Sequence, residues 1–209
     1  MAIRTAVNRA LTAITALPTA AALAEGNLTL LTTATASNSA TLDFTSGIDD
    51  TYDSYVFKFY NIHPSASGNT KFTFNMSIDA GSNYNVTKTS TFYVAYNKED
   101  DGEAVLAYDT GYDLAQSTDF QEITSGVGGA VADENACGTL QIFNPSSTTF
   151  VKHFICSSNS YRGDFVGSFF QNIAGYANTT SAVDAIRFQF STGNIDSGVI
   201  KLYGVGPKQ

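Results

Sequence analysis

The sequence predicts an all-β protein: a jelly-roll-like β-sandwich preceded by an N-terminal arm or a short helix. Two observations lead to this prediction. From about residue 40 onward, apolar residues recur at every second position in many short segments, as on one face of a half-buried strand. Polar turn sequences, such as residues 64–68 and 193–194, separate these segments. Many short alternating strands joined by polar turns are typical of β-sandwiches.

The alternation is clearest in residues 70–79, where Phe72, Phe74 and Met76 point one way and polar residues the other. Further strands are predicted around residues 41–45, 54–61, 91–97, 103–109, 139–144, 149–157, 185–192 and 198–204. We expect the last two to pair as a terminal hairpin, because Gly193-Asn194 between them suits a tight turn.

Composition excludes several classes of protein. The 209 residues include 11 basic and 19 acidic side chains, a net charge of −8, and 12% of them are aromatic. So many aromatic residues with so few charges can bury a core, which argues against intrinsic disorder. Nucleic-acid binding calls for clustered lysine and arginine, and a membrane span needs a long apolar run. Because the sequence has neither, we expect no nucleic-acid partner and no membrane insertion.

The chain divides into an arm at residues 1–38, a sandwich at 39–205 and a C-terminal tail at 206–209. Apolar residues in the arm fall at spacings of three and four, as in an amphipathic helix, although Pro18 and several threonines disfavour a helix there. An extended arm is the other interpretation. A secretory signal is a poor match because polar residues interrupt its apolar stretch, so we expect the segment to be retained. The residues expected to dock onto a partner are Ile3, Val7, Leu11, Ile14 and Leu17.

Few residues suggest chemistry. His63 and His153 lie in a turn and a strand without the sequence context of a catalytic triad. Cys137 and Cys156 are either two unpaired thiols or a disulfide between neighbouring strands. The acidic stretches at 49–53 and 99–103 are solvated turns or weak calcium sites, and neither matches a calcium-loop motif. We therefore predict no catalytic residue, no cofactor and no resident metal.

Saccharide binding is the remaining chemistry that the sequence suggests. Tyr108, Tyr112 and Tyr161 fall in or beside loop-like segments, where their rings, with nearby Asn and Asp side chains, are candidates to face a glycan. Ordinary packing is the alternative interpretation for each of them.

Several stretches together resemble virion-associated β-proteins of tailed bacteriophages, including phages of cyanobacteria and marine bacteria. They are SATLDFTSG (39–47), YNIHP (60–64), GSNYNVT (81–87), DLAQSTDFQ (113–121), FNPSSTTFVKHF (143–154) and residues 175–204. The ending STGNIDSGVIKLYG is the most specific of these stretches. The resemblance spans most of residues 39–205 and does not include the arm.

This resemblance implies a non-enzymatic structural protein of the phage particle, a component of the fibre, tail or capsid surface, assembled in the cytoplasm of the bacterial host. Its expected partners are other virion proteins, held through the arm, and further copies of itself in a closed ring or trimer. The alternative hypothesis is a receptor-binding module of a phage fibre that recognises a host surface glycan.

Overall fold

The computed structural model describes residues 27–206, and every regular element in this range is a β-strand. The strands are β1 (Leu28–Thr35), β2 (Leu42–Phe44), β3 (Ser54–Pro64), β4 (Phe72–Ser77), β5 (Lys88–Lys98), β6 (Ala104–Tyr108), β7 (Gln121–Glu122), β8 (Ala136–Phe143), β9 (Lys152–Arg162), β10 (Gly167–Ala177), β11 (Ala185–Phe190) and β12 (Ile195–Val205). Within residues 27–206 the structure has no helix of the length and apolarity needed to cross a membrane.

The strands form two antiparallel sheets. The larger sheet has eight strands in the order β1-β12-β3-β8-β9-β10-β5-β6, and the smaller has four in the order β2-β11-β4-β7. From β2 to β5 successive strands alternate between the sheets, and β11 and β12 do the same. This alternation gives the sandwich its jelly-roll-like character. The predicted fold class is confirmed, while the predicted arm or helix before the sandwich lies mainly outside the described residues.

One part of the core between the sheets is built from phenylalanines, because the alternating strands of both layers turn their aromatic positions inward. Phe188 of β11 is at its centre, with its ring centroid 5.4 Å from that of Phe57 and 5.7 Å from that of Phe72. Each such side chain stabilises the fold by about 1.5–3 kcal/mol through burial. We call this region the aromatic half: Phe44, Phe57, Phe59, Phe72, Phe74, Phe188 and Phe190.

A second part of the core surrounds residues 121–128, which we call the buried segment. Apart from the two residues of β7 it is irregular, yet nearly all of it is buried. Buried peptide groups outside a ladder need other partners. Hydroxyl groups of β9 provide them: Ser158 donates to the Ile123 carbonyl at 2.7 Å, and Ser160 donates to the Gly126 carbonyl at 2.9 Å. We call this region the polar half: Ser90, Gln121, Thr124, Ser125, Ser158, Ser160 and Gln171.

The sandwich begins earlier than residue 39, the predicted boundary between the arm and the sandwich. Residues 28–35 form β1, an edge strand of the larger sheet that pairs with β12 from Leu28–Val205 to Thr35–Val199. Most of β1 is exposed, so its sequence has no buried face to produce a clear alternation. The predicted docking residues, Ile3 to Leu17, lie outside the described residues.

The expected terminal hairpin is wrong. β11 pairs with β2 and β4 in the smaller sheet, whereas β12 pairs with β1 and β3 in the larger sheet. The connection between them is hydrogen-bonded to the segment that follows β1 of the larger sheet: the Asn194 side chain donates to the Asn38 side-chain oxygen at 3.0 Å. Gly193-Asn194 is therefore a crossover between layers, with Gly193 at φ +75°.

Candidate functional site

The face of the larger sheet that points away from the smaller sheet, here called the outer face, is almost free of acidic groups. Asp196, at the start of β12, is the only carboxylate in the eight strands of this sheet. The remaining carboxylates of the described residues lie in turns, loops and the smaller sheet. On a chain of net charge −8 this makes the outer face electrostatically distinct.

Strand pairing aligns the outer-face side chains into rows. The central row runs Tyr108, Tyr93, Asn172, Ser157, Thr139, Lys58, Lys201 and Thr33 across all eight strands. Its two lysines contact tyrosine rings: the Lys58 ammonium is 5.7 Å from the Tyr203 ring centroid, and that of Lys201 is 5.8 Å from the Tyr60 centroid. The row is thus uncharged apart from two cations that are covered on one side by aromatic rings.

The most apolar part of the outer face lies beside the edge strand β6. Leu106 is 74% exposed and Tyr108 is 54% exposed. The strand register places Leu106 next to Ala95 and Ala95 next to Phe170, while Tyr108 lies opposite Tyr93. These five residues form a contiguous exposed surface, which we call the β6 patch.

A cleft of about 470 Å³ opens at one end of the sandwich. Three separate segments line it: residues 67–69, residues 128–134, and residues 161–164 at the turn between β9 and β10. Two further depressions lie against the same turn, one sharing Tyr161 with the cleft and the other sharing Asp164. The buried segment continues directly into the wall of the cleft at Gly128 and Gly129.

Glu134 forms the floor of the cleft and is only 4% exposed. Its Oε2 accepts the backbone N–H groups of Ala130 at 2.7 Å and Val131 at 3.0 Å. Gly128 and Gly163 make room for this carboxylate, since a Cβ at Gly128 would lie 2.6 Å from the Glu134 carboxyl carbon and one at Gly163 would overlap Oε1. One carboxylate oxygen is therefore held by the backbone, and the other lies against a glycine.

A fixed ion pair forms another wall. Arg162 Nε and Nη2 donate to the two oxygens of Asp164, each at 3.0 Å. This bidentate pair lowers the pKa of Asp164, and a hydrogen bond from the Asn69 side chain acts in the same direction. The Asn69 side-chain oxygen has no donor although it is buried.

Tyr161 provides the aromatic surface of the cleft. Desolvation raises the pKa of its hydroxyl, and the carboxylates of Glu99, Glu134 and Asp133 raise it further. The hydroxyl therefore remains protonated at neutral pH in a region of negative potential.

The structure does not bring together the three tyrosines singled out as glycan-facing. Tyr108 is on the outer face, and its hydroxyl donates to Asp113 at 2.5 Å. The Tyr112 ring packs on Phe92 with centroids 5.0 Å apart, and its hydroxyl donates to the Ser125 carbonyl. Of the three, Tyr161 alone lines the cleft.

Each histidine contacts a neighbouring group of the fold, and the two cysteines do not contact each other. His63 Nδ1 lies 2.5 Å from the Glu134 carbonyl oxygen, and the His153 ring lies 6.1 Å from that of Tyr176. Both cysteines are unpaired thiols. The register pairs Cys156 with Leu140, three residues from Cys137 on β8, so the two thiols are on opposite faces of the sheet and do not meet.

Both acidic turns make hydrogen bonds to tyrosines of neighbouring strands. Tyr96 donates to Glu103 at 2.8 Å, and Asp49 accepts the Tyr55 hydroxyl at 2.9 Å, so both stretches bond to the adjoining strands. Over residues 27–206 no three His, Cys, Asp or Glu side chains are grouped so that they could hold a metal ion.

The chain matches no protein-family model, and it has no significant similarity to any curated protein or solved structure. These comparisons therefore lend no support to the resemblance to phage virion proteins.

Proposed function

We propose that this chain is a non-enzymatic structural module whose copies associate through the outer face of the larger sheet. The observation on which this proposal rests is the scarcity of carboxylates in that sheet, where Asp196 is the only one within the eight strands of a strongly acidic chain. Acidic copies repel one another where carboxylates are opposed, so close approach is least costly at the surface that has the fewest. The exposed apolar surface of the β6 patch adds a favourable contribution to contact.

Association is tested by measuring the mass of the protein in solution by light scattering after gel filtration. We expect oligomers at about 100 μM protein, a concentration at which even weak interfaces assemble. Leu106→Glu and Phe170→Glu place a carboxylate in the β6 patch and should yield monomers. Ile78→Glu is the matched control, because Ile78 is also an exposed apolar residue (43%) but lies after β4 of the smaller sheet. A monomeric parent protein, or glutamate variants that assemble like the parent, would refute the proposal.

The finer form of the proposal is that the module belongs to the particle of a tailed bacteriophage, anchored by the N-terminal arm with the sandwich exposed. Its support is the sequence resemblance over residues 39–205. Mass spectrometry of purified particles tests it directly, and absence of the protein from particles would overturn it. The anchoring role is tested by deleting residues 1–26, which leaves β1 and its pairing with β12 intact. Incorporation should then be lost while the sandwich remains folded.

Recognition of a host glycan is the second candidate function. The specific observation in its favour is the cleft lined by Tyr161, which combines an aromatic residue with the carboxylate of Glu134 and the undonated side-chain oxygen of Asn69. A glycan array probed with the full chain tests this role, with binding to host surface polysaccharide as the expected result.

A further inference from the structure

We propose that the cleft formed by residues 67–69, 128–134 and 161–164 binds an uncharged saccharide through donation of sugar hydroxyls to Glu134. This inference gives the second candidate function a site and a ligand class, and it does not depend on association through the outer face.

The first argument is the hydrogen bonding of Glu134. Glu134 is only 4% exposed, and Oε2 is the one carboxylate oxygen of this residue that accepts hydrogen bonds within residues 27–206. Oε1 makes no such bond and is not sealed from solvent where Glu134 lines the cleft, so it is available to a bound hydroxyl group. The side-chain oxygen of Asn69, in the same wall, is buried without a donor. A ligand that supplies donors fits this wall.

The second argument concerns charge. Glu134 and Asp164 line the cleft, Glu99 lines the two adjoining depressions, and the potential they create is visible in the raised pKa of Tyr161. Arg162 is committed to Asp164 by two hydrogen bonds. Lys98 lines the two adjoining depressions, and its ammonium is paired with the Glu103 carboxylate at 3.7 Å. Arg162 and Lys98 are therefore each already paired with a carboxylate, so an anionic ligand would meet net repulsion, which favours an uncharged ligand.

A metal cation is the competing ligand that supplies positive charge. Calcium takes six to eight oxygen ligands. The carboxylates of the cleft cannot provide this set, because both oxygens of Asp164 are bound by Arg162 and one oxygen of Glu134 is bound by two backbone N–H groups. Hydroxyl groups need only one acceptor each, and the Tyr161 ring offers an apolar surface for the C–H face of a sugar.

The size of the region suits a small oligosaccharide. The cleft and the two adjoining depressions have volumes of about 470, 480 and 290 Å³. Ligand sites typically occupy about 300–1,000 Å³, so the cleft alone accommodates one or two sugar rings and its neighbours extend the path on either side of Tyr161.

Binding is tested by titrating the ¹⁵N-labelled full chain with methyl α-mannoside, methyl β-galactoside, N-acetylglucosamine and a neutral trisaccharide, up to about 50 mM, as suits millimolar affinity. At least one neutral sugar should shift the amide signals of residues 128–134 and 161–164. Glu134→Gln should weaken that binding about tenfold, because it turns a donor toward the cleft in place of an acceptor. Gly163→Ala should also weaken it, since the new methyl group displaces the carboxylate.

Two control variants separate a site effect from a general one. Asp119→Asn removes an exposed carboxylate outside the cleft and its adjoining depressions. Tyr176→Ala removes a tyrosine elsewhere on the larger sheet and is the control for Tyr161→Ala, which should weaken binding. Both controls should bind like the parent, and thermal unfolding should show that all variants are folded.

Three outcomes would overturn the inference: no shift with any neutral sugar, shifts of the same amides by calcium chloride alone, or tighter binding of N-acetylneuraminic acid than of the neutral sugars. None of these would bear on association through the β6 patch, which is measured separately by the mass of the outer-face variants.

Discussion

The aromatic half and the polar half of the core lie side by side beneath the same eight-stranded sheet, yet they are joined to it by different interactions. In the aromatic half, β4 and β11 already satisfy their peptide groups in a ladder, so phenyl rings can cover them. In the polar half, only residues 121–122 of the buried segment pair in a ladder, and the rest makes scattered backbone bonds to residues 70, 72 and 161. Serine hydroxyls of β9 therefore satisfy carbonyls that remain, those of Ile123 and Gly126. The regularity of the covered backbone decides which side chains the covering sheet must carry.

This difference also explains where the cleft lies. The hydrogen bonds of the polar half fix the course of the buried segment, and the segment's last residues, Gly128 and Gly129, form a wall of the cleft. Directional contacts are better suited than ring packing to hold an irregular backbone in one conformation. We expect the aromatic half to govern global stability and the polar half to govern the local order of the site.

The largest effect is expected in the aromatic half. Phe188→Ala removes a fully buried ring that contacts Phe57, Phe72 and Phe74. It should lower the free energy of unfolding by about 3–5 kcal/mol, measured by denaturant titration. Phe188→Leu, which refills much of the volume, should lose less. A loss below about 1 kcal/mol for the alanine variant would contradict a core centred on this ring.

A smaller and more local effect is expected in the polar half. The Gln171 amide lies within 3.0–3.2 Å of the hydroxyls of Ser125, Ser158 and Ser160. Gln171→Met should cost about 1–3 kcal/mol, because buried hydroxyls lose a partner. Amide hydrogen exchange should speed up in residues 121–128 more than in β4 and β11. Gln141→Met, on the outer face, is the control and should leave exchange unchanged; uniform acceleration across both halves would break the comparison.

Lys88 extends the polar half with a buried amine, and pH tests its cost. Its Nζ donates to the Asn75 side chain at 2.6 Å and to the Val86 carbonyl at 2.8 Å. Burial lowers the pKa of Lys88 to about 7, against the opposing effect of Asp119. Between that pH and about 10.5 only the unfolded chain keeps the proton, so stability should rise with pH.

The expected gain for Lys88 between pH 7 and pH 9 is up to about 2 kcal/mol, from about 1.4 kcal/mol per pH unit. It is measured as the difference between the parent and Lys88→Met in denaturant titrations at several pH values. Lys58→Met, on the outer face, should keep the parent's pH dependence. Equal slopes for the parent and Lys88→Met would mean that the amine is not buried in its neutral form.

The smallest effect is expected outside both halves. Arg187 of β11 binds Asp43 of β2 through two hydrogen bonds of 2.8 and 2.6 Å, and its guanidinium lies 4.2 Å from the Tyr84 ring centroid. Both side chains are about 30% exposed, so the coupling energy should be only about 0.2–1 kcal/mol. A double-mutant cycle with Asp43→Asn and Arg187→Gln measures it. A coupling larger than the loss in Gln171→Met would reverse the expected ranking.

Sequence reasoning identified β9, whose alternation follows burial on one face, and it also identified β4, whose polar side chains are buried on the second face. It missed β10, whose sequence GSFFQNIAGYA includes glycine, glutamine and asparagine. Gln171 breaks the apolar period because it is part of the buried hydrogen-bond network. A search for alternating hydrophobic residues therefore cannot find the polar half, because its buried side chains are polar. The pairing of β11 and β12 was also mispredicted, because a turn sequence does not reveal whether the chain returns to the same sheet.

The candidate site was predicted only at Tyr161. Asn69, Glu134 and Gly163 come from segments that are far apart in the chain, and each is unremarkable in its local sequence. Within the glycine cluster at residues 126–129, Gly128 lets the backbone approach the Glu134 carboxylate, a role that depends on a residue brought near by folding.

The pairing of β1 with β12 has a further consequence for the connectivity of the fold. Leu28 lies opposite Val205, and the Gly206 N–H donates to the Asn27 carbonyl at 3.4 Å. The chain therefore enters and leaves the sandwich at one corner. The turn at residues 99–103 joins β5 and β6, which lie at the opposite edge of the eight-stranded sheet. A short linker between residues 206 and 27, with new ends opened in that turn, should yield a circular permutant that folds to the same sandwich. Any protein fused at either of these points would likewise project from that single corner.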